Sequence, residues 1–346
     1  MAFRLGIVGC GSVSERHARG AAASSEVAIL ACADRRLDVA EDWAERHGCE
    51  RAYGDYAEMV AEHELDGVLL ATWPNLHREQ VLGCLDAGVR AILCEKALAL
   101  SGAEALEIWS AAGEAGALVT EGYMYRHHPA VARIDELLAA GEIGALDSIH
   151  AAFSIFDPEE SSPDDTSRDW RQRVELGGGA PYDIACYCVD ACNRFAGARP
   201  LRAQALTSTS ERYGTVSRVF GLIEYANGVV GTIESSMRAD FNHELRLNGT
   251  HGHVRLPVAW RIDFPTEVVA SRSTGWGLVE DARFPAQAVD AYRLELEAFA
   301  AAAHGDAEPS PTLAESVVTA FTVDALLASG RDGRAVAVEI PEAVLT

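Results

Sequence analysis

The sequence predicts an α/β fold, in which a doubly wound parallel sheet comes first and an α+β domain with an open, mostly antiparallel sheet follows. Three observations support this prediction. Strand and helix patterns alternate over the first ~120 residues, as in parallel sheets with helical crossovers. A glycine-rich turn, Gly9-Cys10-Gly11, follows the first strand pattern. From about residue 200 to about residue 270, strand patterns are separated by turn signals such as Asn227-Gly228 and Asn248-Gly249, which favour hairpins.

The elements follow in a regular order along the chain. In the first part, strands are predicted near residues 3–9, 26–33, 66–71, 90–94 and 117–121, and helices near 12–21, 37–47, 75–87 and 101–115. Next come a helix near 128–140, a strand near 146–156, an acidic loop rich in Ser and Pro at 157–169, and a helix that begins after Gly177-Gly178-Gly179 and runs to Phe195. Helices near 288–304 and 312–329 close the chain.

The composition limits the class of protein. The 346 residues provide enough chain for two cores. A net charge of −23 disfavours nucleic acid and anionic membrane surfaces as partners, because both attract basic patches. No unbroken apolar run approaches the ~18 residues of a membrane-spanning helix, and a strand pattern already begins at Phe3, where a signal peptide would lie. We therefore expect a cytoplasmic protein.

The eight cysteines are scattered through predicted core segments, and only Cys186, Cys188 and Cys192 cluster. Their spacing is not a common zinc pattern. We expect small, buried, reduced side chains in this helix and no metal site.

Of the 29 lysine and arginine residues, only Lys96 is a lysine. It follows the apolar run Ala91-Ile92-Leu93-Cys94 and Glu95, at the end of a predicted strand. Lysine is a compact ammonium whose pKa shifts on burial, whereas arginine is a wide fork that stays charged. The position therefore predicts a chemical role or a tight pocket for Lys96, and the alternative is a lysine left by chance in an arginine-rich sequence.

The segment from Gly9 to Ser14 has the spacing G-x-G-x-x-G with serine in the third position. Two glycines permit the tight turn and the close approach of a pyrophosphate, and the following helix points its N-terminus at the phosphates. The turn residues Gly9, Gly11, Ser12 and Val13 are therefore candidates for dinucleotide binding, in a Rossmann domain.

Asp34 ends the second predicted strand 20 residues after Ser14, where a carboxylate binds the adenosine ribose and repels a 2′-phosphate. The alternative is an ordinary residue near a helix start. Arg35 and Arg36 follow and could stack on adenine or bind a phosphate. This segment therefore predicts NAD, with NADP as the alternative coenzyme.

Two further segments carry candidate residues. Thr72, Pro74 and Asn75 follow a predicted parallel strand, at the sheet edge where ligands bind, although Asn75 could instead cap a helix. Asp183 and Tyr187 lie four residues apart on one predicted helix and share a face. An acid and a phenol beside a lone lysine would form an acid–base constellation, and the alternative is a capping aspartate with a core tyrosine.

These motifs resemble the glucose–fructose oxidoreductase, inositol dehydrogenase and rhizopine-catabolism (Gfo/Idh/MocA) family over essentially the full length of the chain. The matching marks are the glycine turn, the T-x-P-N segment, Cys94-Glu95-Lys96, the stretch from Glu121 to Arg126, and the pattern GGG-x-x-x-D-x-x-x-Y that ends at Tyr187. The tyrosine, preceded by Asp169-Trp170-Arg171, resembles the branch with glucose–fructose oxidoreductase, dimeric dihydrodiol dehydrogenase and xylose dehydrogenase.

The resemblance implies a Rossmann dinucleotide-binding domain, 1–122, and a substrate-binding and oligomerisation domain, 123–346. It implies that Lys96 binds a substrate hydroxyl and the nicotinamide ribose, that Asp183 orients substrate or coenzyme, and that Tyr187 is the general acid/base. By the same resemblance, five further residues belong to the coenzyme site, namely His77, Glu95, Arg126, Trp170 and Arg171. The family sequence Glu-Lys-Pro, usually with a cis Lys-Pro bond, departs here at Ala97, so that the Lys96–Ala97 bond is either cis or trans.

The sequence thus predicts an NAD(P)-dependent oxidoreductase that interconverts a hydroxyl group and a ketone or lactone on a sugar, polyol or related alcohol, in a homodimer or homotetramer. Two alternatives are an NAD-dependent glycosidase-type enzyme without net redox change and a non-catalytic NAD(P)-binding regulator. Tightly held NAD with no net NADH formed would indicate the first alternative. Regulators that resemble this family usually lose the lysine or the acid/base residue, whereas this chain keeps both.

Overall fold

The structure is a computed structural model that describes residues 2–62, 64–157, 169–261, 264–275 and 278–345. The chain divides into two compact units. The first contains Met1–His127 and Asp290–Ser316, and the second contains His128–Val289 and Val317–Thr346. Most of the acidic loop predicted at 157–169 lies outside the described residues.

The helices alternate with strands in the first unit and are more widely spaced in the second. They are α1 Ser12–Ala22, α2 Leu37–His47, α3 Tyr56–Glu62, α4 Pro74–Asp86, α5 Gly102–Ala115, α6 Pro129–Ala139, α7 Cys186–Ala196, α8 Ala291–His304, α9 Leu313–Asp332 and α10 Glu342–Leu345. Short 3₁₀ turns cover Met124–His127, Trp170–Gln172 and Val174–Leu176, and one π-helical turn covers Pro181–Ala185.

The sheet of the first unit has six parallel strands: β1 Phe3–Val8, β2 Val27–Ala33, β3 Arg51–Tyr53, β4 Gly67–Leu70, β5 Ala91–Glu95 and β6 Leu118–Gly122. Their order is β3-β2-β1-β4-β5-β6. The order reverses beside β1, which is the place where doubly wound sheets bind ligands at their carboxyl ends. The predicted parallel sheet is confirmed. Neither β3 nor the following helix α3 is predicted from the sequence; a three-residue edge strand such as β3 is too short to show a periodicity.

The core of the first unit includes a helix from late in the sequence. Leu296 and Phe299 of α8 pack in the same apolar cluster as Phe3, Ile7 and Trp43. Gly20 of α1 allows close approach, since a Cβ there would lie 2.8 Å from the backbone nitrogen of Arg293. The compact units therefore differ from the contiguous ranges 1–122 and 123–346, because α8 buries its apolar stripe against the first sheet.

The second unit contains a mixed, mostly antiparallel sheet, as the sequence predicts. Its ten strands are β7 Leu146–Phe156, β8 Pro200–Thr209, β9 Val216–Tyr225, β10 Val230–Ser236, β11 Arg238–Asn242, β12 Leu245–Gly249, β13 Gly252–Leu256, β14 Thr266–Gly275, β15 Leu278–Ala286 and β16 Val336–Ala337. The order is β15-β14-β13-β12-β7-β10-β9-β8-β16, and β11 pairs with β7. Only the β7–β10 pair is parallel among the paired strands.

The two faces of this sheet differ. On one face, Cys192 of α7 packs against Gly231 and Leu326 of α9 packs against Gly221. On the other face, three large apolar side chains are exposed on neighbouring strands, namely Leu206 at 78%, Phe220 at 42% and Leu222 at 49%. Leu206 pairs directly with Phe220 across β8 and β9. The open face predicted for this sheet is therefore partly apolar.

Among the described residues, α9 is long and apolar enough to cross a membrane by length and composition alone, with a mean hydropathy of 1.3 in its best window. Core helices pass the same test, so the evidence is weak. The helix is interrupted by Ser, Thr and Asp residues, which explains why the sequence shows no unbroken apolar run. All eight cysteines are free, and all but Cys49 are buried, as predicted.

Candidate active site

The glycine turn has the geometry of a dinucleotide-binding turn. Gly9 adopts a φ of 92°, and a Cβ on it would lie 2.7 Å from the Ala71 carbonyl oxygen. Gly11 begins α1 with no side-chain cap, and a Cβ on it would meet no atom within 4 Å. Ser14 replaces the third glycine and is buried, with its hydroxyl donating to the Gly11 carbonyl at 2.6 Å. The turn therefore leaves the start of α1 open to an anion, flanked by the exposed Ser12 and the half-buried Val13.

Asp34 lies at the end of β2, directly beside this turn. Its Oδ2 accepts a hydrogen bond from the Cys10 backbone N–H at 3.1 Å, and its Oδ1 accepts one from the Arg36 N–H at 3.0 Å. A carboxylate has about four acceptor positions, so these two bonds fix its direction and leave acceptor capacity for a ligand. The orientation of the Asp34 carboxylate is thus fixed, and its contact with an adenosine ribose stays a prediction.

The end of β4 adds a second wall to the same edge of the sheet. The Thr72 hydroxyl donates to Gln80 Oε1 at 2.5 Å, and the Arg35 guanidinium lies 5.3 Å from the centre of the Trp73 ring. Pro74 opens α4, whose N-cap is Trp73, so Asn75 is not the helix cap. The buried Oδ1 of Asn75 has no hydrogen-bond partner among the described residues.

Three buried side chains hold the segment that carries Lys96. Glu95 Oε2 accepts from the Lys96 backbone N–H at 3.3 Å, Glu121 Oε1 accepts from the Leu98 N–H at 2.8 Å, and His77 Nδ1 lies 2.8 Å from the Ala97 carbonyl oxygen. The Lys96–Ala97 peptide bond is cis. This segment is therefore fixed by hydrogen bonds on both sides of Lys96, whose side chain remains partly exposed.

His77 supports the Lys96 segment in the structure, and its predicted contact with a coenzyme stays a prediction. Its side chain is fully buried, and its second ring nitrogen, Nε2, lies 3.2 Å from the Thr72 carbonyl oxygen. Burial lowers the pKa of His77, which favours the neutral ring. The buried His77 side chain therefore supports the Lys96 segment from the protein interior.

Arg126 is a second buried residue whose predicted contact with a coenzyme stays a prediction. Its guanidinium is 2% exposed and binds Glu315 Oε1 at 3.2 Å. Glu315 also accepts from the backbone N–H and hydroxyl of Thr312, which forms a capping box at the start of α9. Burial alone would raise the pKa of Glu315, but Arg126 and Thr312 hold it below its ordinary value. Arg126 therefore anchors the start of α9.

The sequence predicts that Asp183 and Tyr187 lie on one α-helix. In the structure, they lie in two successive helical segments of the second unit. Asp183 lies in the π-helical turn and Tyr187 in the first turn of α7. Wider π turns often occur at functional sites. Gly178 is needed just before this turn, because a Cβ there would lie 2.5 Å from the Trp170 carbonyl oxygen.

Arg171 binds Asp183 directly. Its Nε donates to Asp183 Oδ2 at 2.7 Å, its Nη1 donates to Asp169 Oδ2 at 2.9 Å, and its guanidinium lies over the Trp170 ring. Burial alone would lower the pKa of Arg171, but the two carboxylates raise it, which keeps the side chain charged. Within this unit, Trp170 and Arg171 therefore orient Asp183, and their predicted contact with a coenzyme stays a prediction.

An aromatic wall surrounds Tyr187. The Phe153 ring lies edge-on at 5.4 Å, the Trp260 ring lies at 6.0 Å, and Phe153 and Trp260 stack on each other at 6.0 Å. The indole N–H of Trp260 donates to the Ala152 carbonyl at 2.6 Å. The contacts of Phe153 and Trp260 with Tyr187 are not predicted from the sequence, because the pattern of a segment can show that it is buried but not which distant helix covers it.

His17 is a further site residue that is not among those predicted from the sequence. Its Nε2 lies 2.6 Å from Glu95 Oε1, and both side chains are buried. A signal was present, since His17 shares the buried stripe of α1 with Ser14, Ala18 and Ala21. A polar side chain in an apolar stripe needs a partner.

The residues present fit a nicotinamide dinucleotide. An open glycine turn, an uncapped helix start and a pre-set carboxylate after β2 are the features that bind the phosphates and ribose of such a coenzyme. With a tyrosine and a lysine as candidate proton-handling groups, the fold and site define a dinucleotide-dependent oxidoreductase. The chain belongs to the Gfo/Idh/MocA oxidoreductase family: the model for its NAD-binding Rossmann fold matches residues 3–123, and the model for its C-terminal domain matches residues 131–255.

Named relatives agree with this assignment. The chain is 32% identical over 332 residues to D-xylose 1-dehydrogenase (NADP(+)) 2 of Haloferax volcanii, covering 96% of this chain and 98% of that protein. It is 30% identical over 273 residues to trans-1,2-dihydrobenzene-1,2-diol dehydrogenase of Mus musculus, covering 78% of each. The crystal structure of a 3-ketoreductase from Actinomadura kijaniata, in complex with NADP and TDP-benzene, matches with a TM-score of 0.83 and 26% identity over 95% of this chain and 98% of that chain. The chain is thus an NAD(P)-dependent oxidoreductase that acts on CH–OH groups.

Proposed function

We propose that the protein is a dehydrogenase of a sugar or cyclic polyol and that Lys96 and Tyr187 carry the proton chemistry. The observation that carries this proposal is the hydrogen-bonded fixation of the only lysine of the chain at the carboxyl end of β5. A relative that covers nearly the whole chain is a D-xylose dehydrogenase, which supports a sugar over an acyclic alcohol.

The coenzyme would be held by Gly9, Gly11, Ser12 and Val13 at its phosphates and by Asp34 at its adenosine ribose. When bound, its nicotinamide supplies the hydride-accepting or hydride-donating carbon. We propose that NAD(H) is preferred, because a half-buried carboxylate after β2 disfavours a 2′-phosphate. The xylose dehydrogenase and the 3-ketoreductase are named with NADP, and levoglucosan dehydrogenase is in complex with NADH, so Arg35 beside Trp73 is the group to examine if NADP(H) binds more tightly.

The proposed roles follow from the chemistry of the side chains. Tyr187 would accept the substrate hydroxyl proton at its Oη during oxidation and return it during reduction. The Lys96 ammonium would favour the phenolate form of Tyr187 and bind the substrate hydroxyl. Asp183, held by Arg171, would position the substrate. Thr72, Pro74 and Asn75 would line the nicotinamide side.

We propose a homodimer or homotetramer in the cytoplasm. The exposed apolar face formed by Leu206, Phe220 and Leu222 supports an assembly, because exposed clusters of large apolar side chains mark interaction surfaces. The proposed partner on this face is a second copy of the chain. Sedimentation of the wild type and of Phe220→Glu tests this, with a dissociated variant expected.

The test of function is a substrate screen with both coenzymes. D-xylose, other aldoses, levoglucosan, inositols and trans-dihydrodiols are incubated with NAD⁺ or NADP⁺, and reduced coenzyme is followed by absorbance. We expect net reduced coenzyme with at least one sugar and none with Lys96→Met. Cleavage of a glycoside without net NADH would instead support the non-redox alternative, and coenzyme binding with no turnover on any compound would support a regulator.

A further inference from the structure

A buried carboxyl group lies beneath the Lys96 segment and takes no part in the roles described above. Glu295 of α8 is 2% exposed. Neither of its carboxyl oxygens has a hydrogen-bond partner among the described residues. A buried polar group without a partner is costly, and an ionised carboxylate is the most costly case. The burial of the Glu295 carboxyl group therefore requires a physical explanation.

The nearest polar groups of Glu295 are those that hold Lys96. One side-chain atom from each of His17, Glu95 and Glu295 lies within 4.8 Å of the other two. Glu95 in turn accepts from the Lys96 backbone N–H. The Oε1 of Glu295 also lies 3.6 Å from the Cβ position that a side chain at Gly122 would occupy, which places the carboxyl group against the end of β6.

A small enclosed cavity adjoins the same carboxyl group. Its volume is about 10 Å³, and the polar residues that line it are Glu295, Glu121, Thr120, His127 and Ser310. This volume is just sufficient for one water molecule. The titratable groups that face Glu295 are thus Glu95 from β5, Glu121 from β6, His17 from α1 and His127 from the turn after β6. Two of these four are carboxyl groups.

Two chemical states could satisfy the cluster, a shared proton or a bound cation. The distance between His17 Nε2 and Glu95 Oε1 is 2.6 Å, which is the length of a short direct hydrogen bond. Two ligands on one tetrahedral ion with bonds of about 2.0–2.1 Å would lie roughly 3.3 Å apart. The geometry therefore favours a proton over a metal ion.

We propose that Glu295 is a neutral carboxylic acid in the folded protein and acts as a positioning residue, whose O–H, directly or through one water molecule, holds the Glu95–His17 pair and with it Lys96. The role in positioning rests on the proposed function of Lys96. In this state Glu95 is the one carboxylate that accepts from His17 and from the Lys96 backbone. Burial, and then the negative charge of Glu95, raise the pKa of Glu295 well above its ordinary value, which agrees with this assignment.

The first test is the pH dependence of unfolding in wild type and in Glu295→Gln, whose neutral amide has the shape of the protonated acid. The folded wild type keeps a proton that the unfolded chain releases above about pH 4.3. Above that pH, the unfolding constant of the wild type should therefore rise tenfold per pH unit relative to Glu295→Gln, up to the folded pKa. Glu297→Gln, on the same helix but bound to Arg293 and Ser24, is the control and should follow the wild type.

Parallel curves for the wild type and Glu295→Gln would overturn the proposal. If Glu295→Gln does not fold, infrared spectra of the wild type labelled with ¹³C-glutamate give the answer, because a protonated carboxylic acid has a C=O stretch that a carboxylate lacks. Absence of that band at neutral pH would overturn the proposal. One equivalent of divalent metal that survives dialysis against a chelator would also overturn it.

The second test concerns positioning and uses the only lysine. Reductive ¹³C-methylation labels Lys96 and the N-terminal amine alone, so one side-chain resonance reports the Lys96 environment. We expect Glu295→Gln to retain the wild-type shift and its titration, and Glu295→Leu to move both. An unchanged Lys96 resonance in a folded Glu295→Leu protein would refute the positioning role. These readouts need no turnover, so a failure of the dehydrogenase assay leaves them interpretable.

Discussion

The two segments that carry the candidate acid–base groups are held in different ways. In the first unit, the Lys96 segment is held at its backbone by Glu95, Glu121 and His77, which are all buried. In the second unit, Asp183 is held at its side chain by Arg171, whose guanidinium is 34% exposed. The hydrogen bonds that hold the Lys96 segment are therefore shielded from solvent, whereas the Arg171–Asp183 ion pair is partly accessible to solvent.

This difference has a physical consequence. Salt weakens ion pairs near the surface but has little effect on buried hydrogen bonds. Titration of buried groups, in contrast, changes the stability of the element that they hold. We therefore expect the Lys96 segment to respond to pH and the Asp183 segment to respond to ionic strength.

The largest effect is expected from removing the groups themselves. Tyr187→Phe removes the proposed proton carrier, and loss of such a group typically costs about 10²–10⁴-fold in rate. Turnover should fall by this factor while coenzyme binding stays nearly unchanged, and the rise of the oxidation rate with pH should disappear. Steady-state rates across pH, with coenzyme titrated by fluorescence, measure both. Full turnover with the wild-type pH profile would remove Tyr187 from the mechanism.

Lys96→Met should also abolish turnover, but it should weaken coenzyme binding as well, because Lys96 is expected at the nicotinamide ribose. The wild-type rate should rise with pH through an apparent pKa below that of free tyrosine, about 10. The two variants together therefore separate proton transfer from coenzyme binding. Equal coenzyme affinity in both would place Lys96 away from the ribose.

The second-largest effect is expected from breaking the Arg171–Asp183 ion pair, on which the predicted response to ionic strength depends. Arg171→Ala leaves the buried carboxylate of Asp183 without its charged partner, so substrate is misplaced. A misplacement of about 1 Å can cost ~10²-fold, and we expect kcat/KM to fall by up to this factor. Arg173→Ala is the matched control, since Arg173 binds only the exposed Glu175 in the described contacts and should change kcat/KM little.

Salt should also reduce kcat/KM of the wild type more than that of Arg171→Ala, since the variant has already lost the ion pair. The two proteins are compared over a salt series at constant pH. A parallel response would show that the Arg171–Asp183 pair is not the salt-sensitive element.

The two regions also differ in how far the sequence predicts them. The glycine turn, Asp34 and the strand ending at Lys96 are local patterns, because a strand, a tight turn and a helix start each leave a signal within a few residues. The parallel, doubly wound type of the first sheet follows from the alternation of strands and helices. Its late helix does not, because only tertiary packing shows that Leu296 and Phe299 of α8 join the first core.

In the second unit the sequence predicts the sheet type but not the surroundings of Tyr187. The contacts of Phe153 and Trp260 with Tyr187 join β7 and the segment after β13 to α7. No pattern in the sequence predicts that these three segments contact one another. The π turn at Asp183 is likewise not predictable from the sequence, because its residues have the same pattern as an α-helix. Buried polar residues such as His17 and Glu295 do leave a signal, as polar positions within apolar stripes.

The third-largest effect is expected on coenzyme preference and comes from Asp34, which lies outside both the Lys96 segment and the Asp183 segment. Asp34→Asn removes the negative charge but keeps one acceptor for the Cys10 or Arg36 N–H. Hydrogen bonds to charged groups contribute about 1.5–3 kcal/mol, so the ratio of NAD(H) to NADP(H) affinity should fall roughly tenfold or more. Asp38→Asn, at the exposed first turn of α2, is the control. An unchanged ratio would show that Asp34 only holds the glycine turn.

The smallest effect is a pH dependence that tests the buried support of Lys96. Burial lowers the pKa of His77 below its ordinary value of 6.5. Between the folded pKa and 6.5 the unfolded chain binds a proton that the folded protein does not, so stability rises with pH there. The contribution is complete above pH 6.5 and is lost as pH falls through this window, by at most about 1.4 kcal/mol per pH unit.

His77→Asn should flatten this decline, because the asparagine amide can still donate to the Ala97 carbonyl but does not titrate. Melting temperatures of wild type and variant between pH 7.5 and pH 5.5 measure the difference, with the exposed His251→Asn as the control. The sign is opposite to that expected for Glu295, whose raised pKa lowers stability as pH increases. The two buried groups would then limit the stable pH range of the Lys96 segment from both sides. A wild-type curve that His77→Asn does not flatten would assign the acid limit to other groups, such as the buried His128, whose pKa is also lowered by burial.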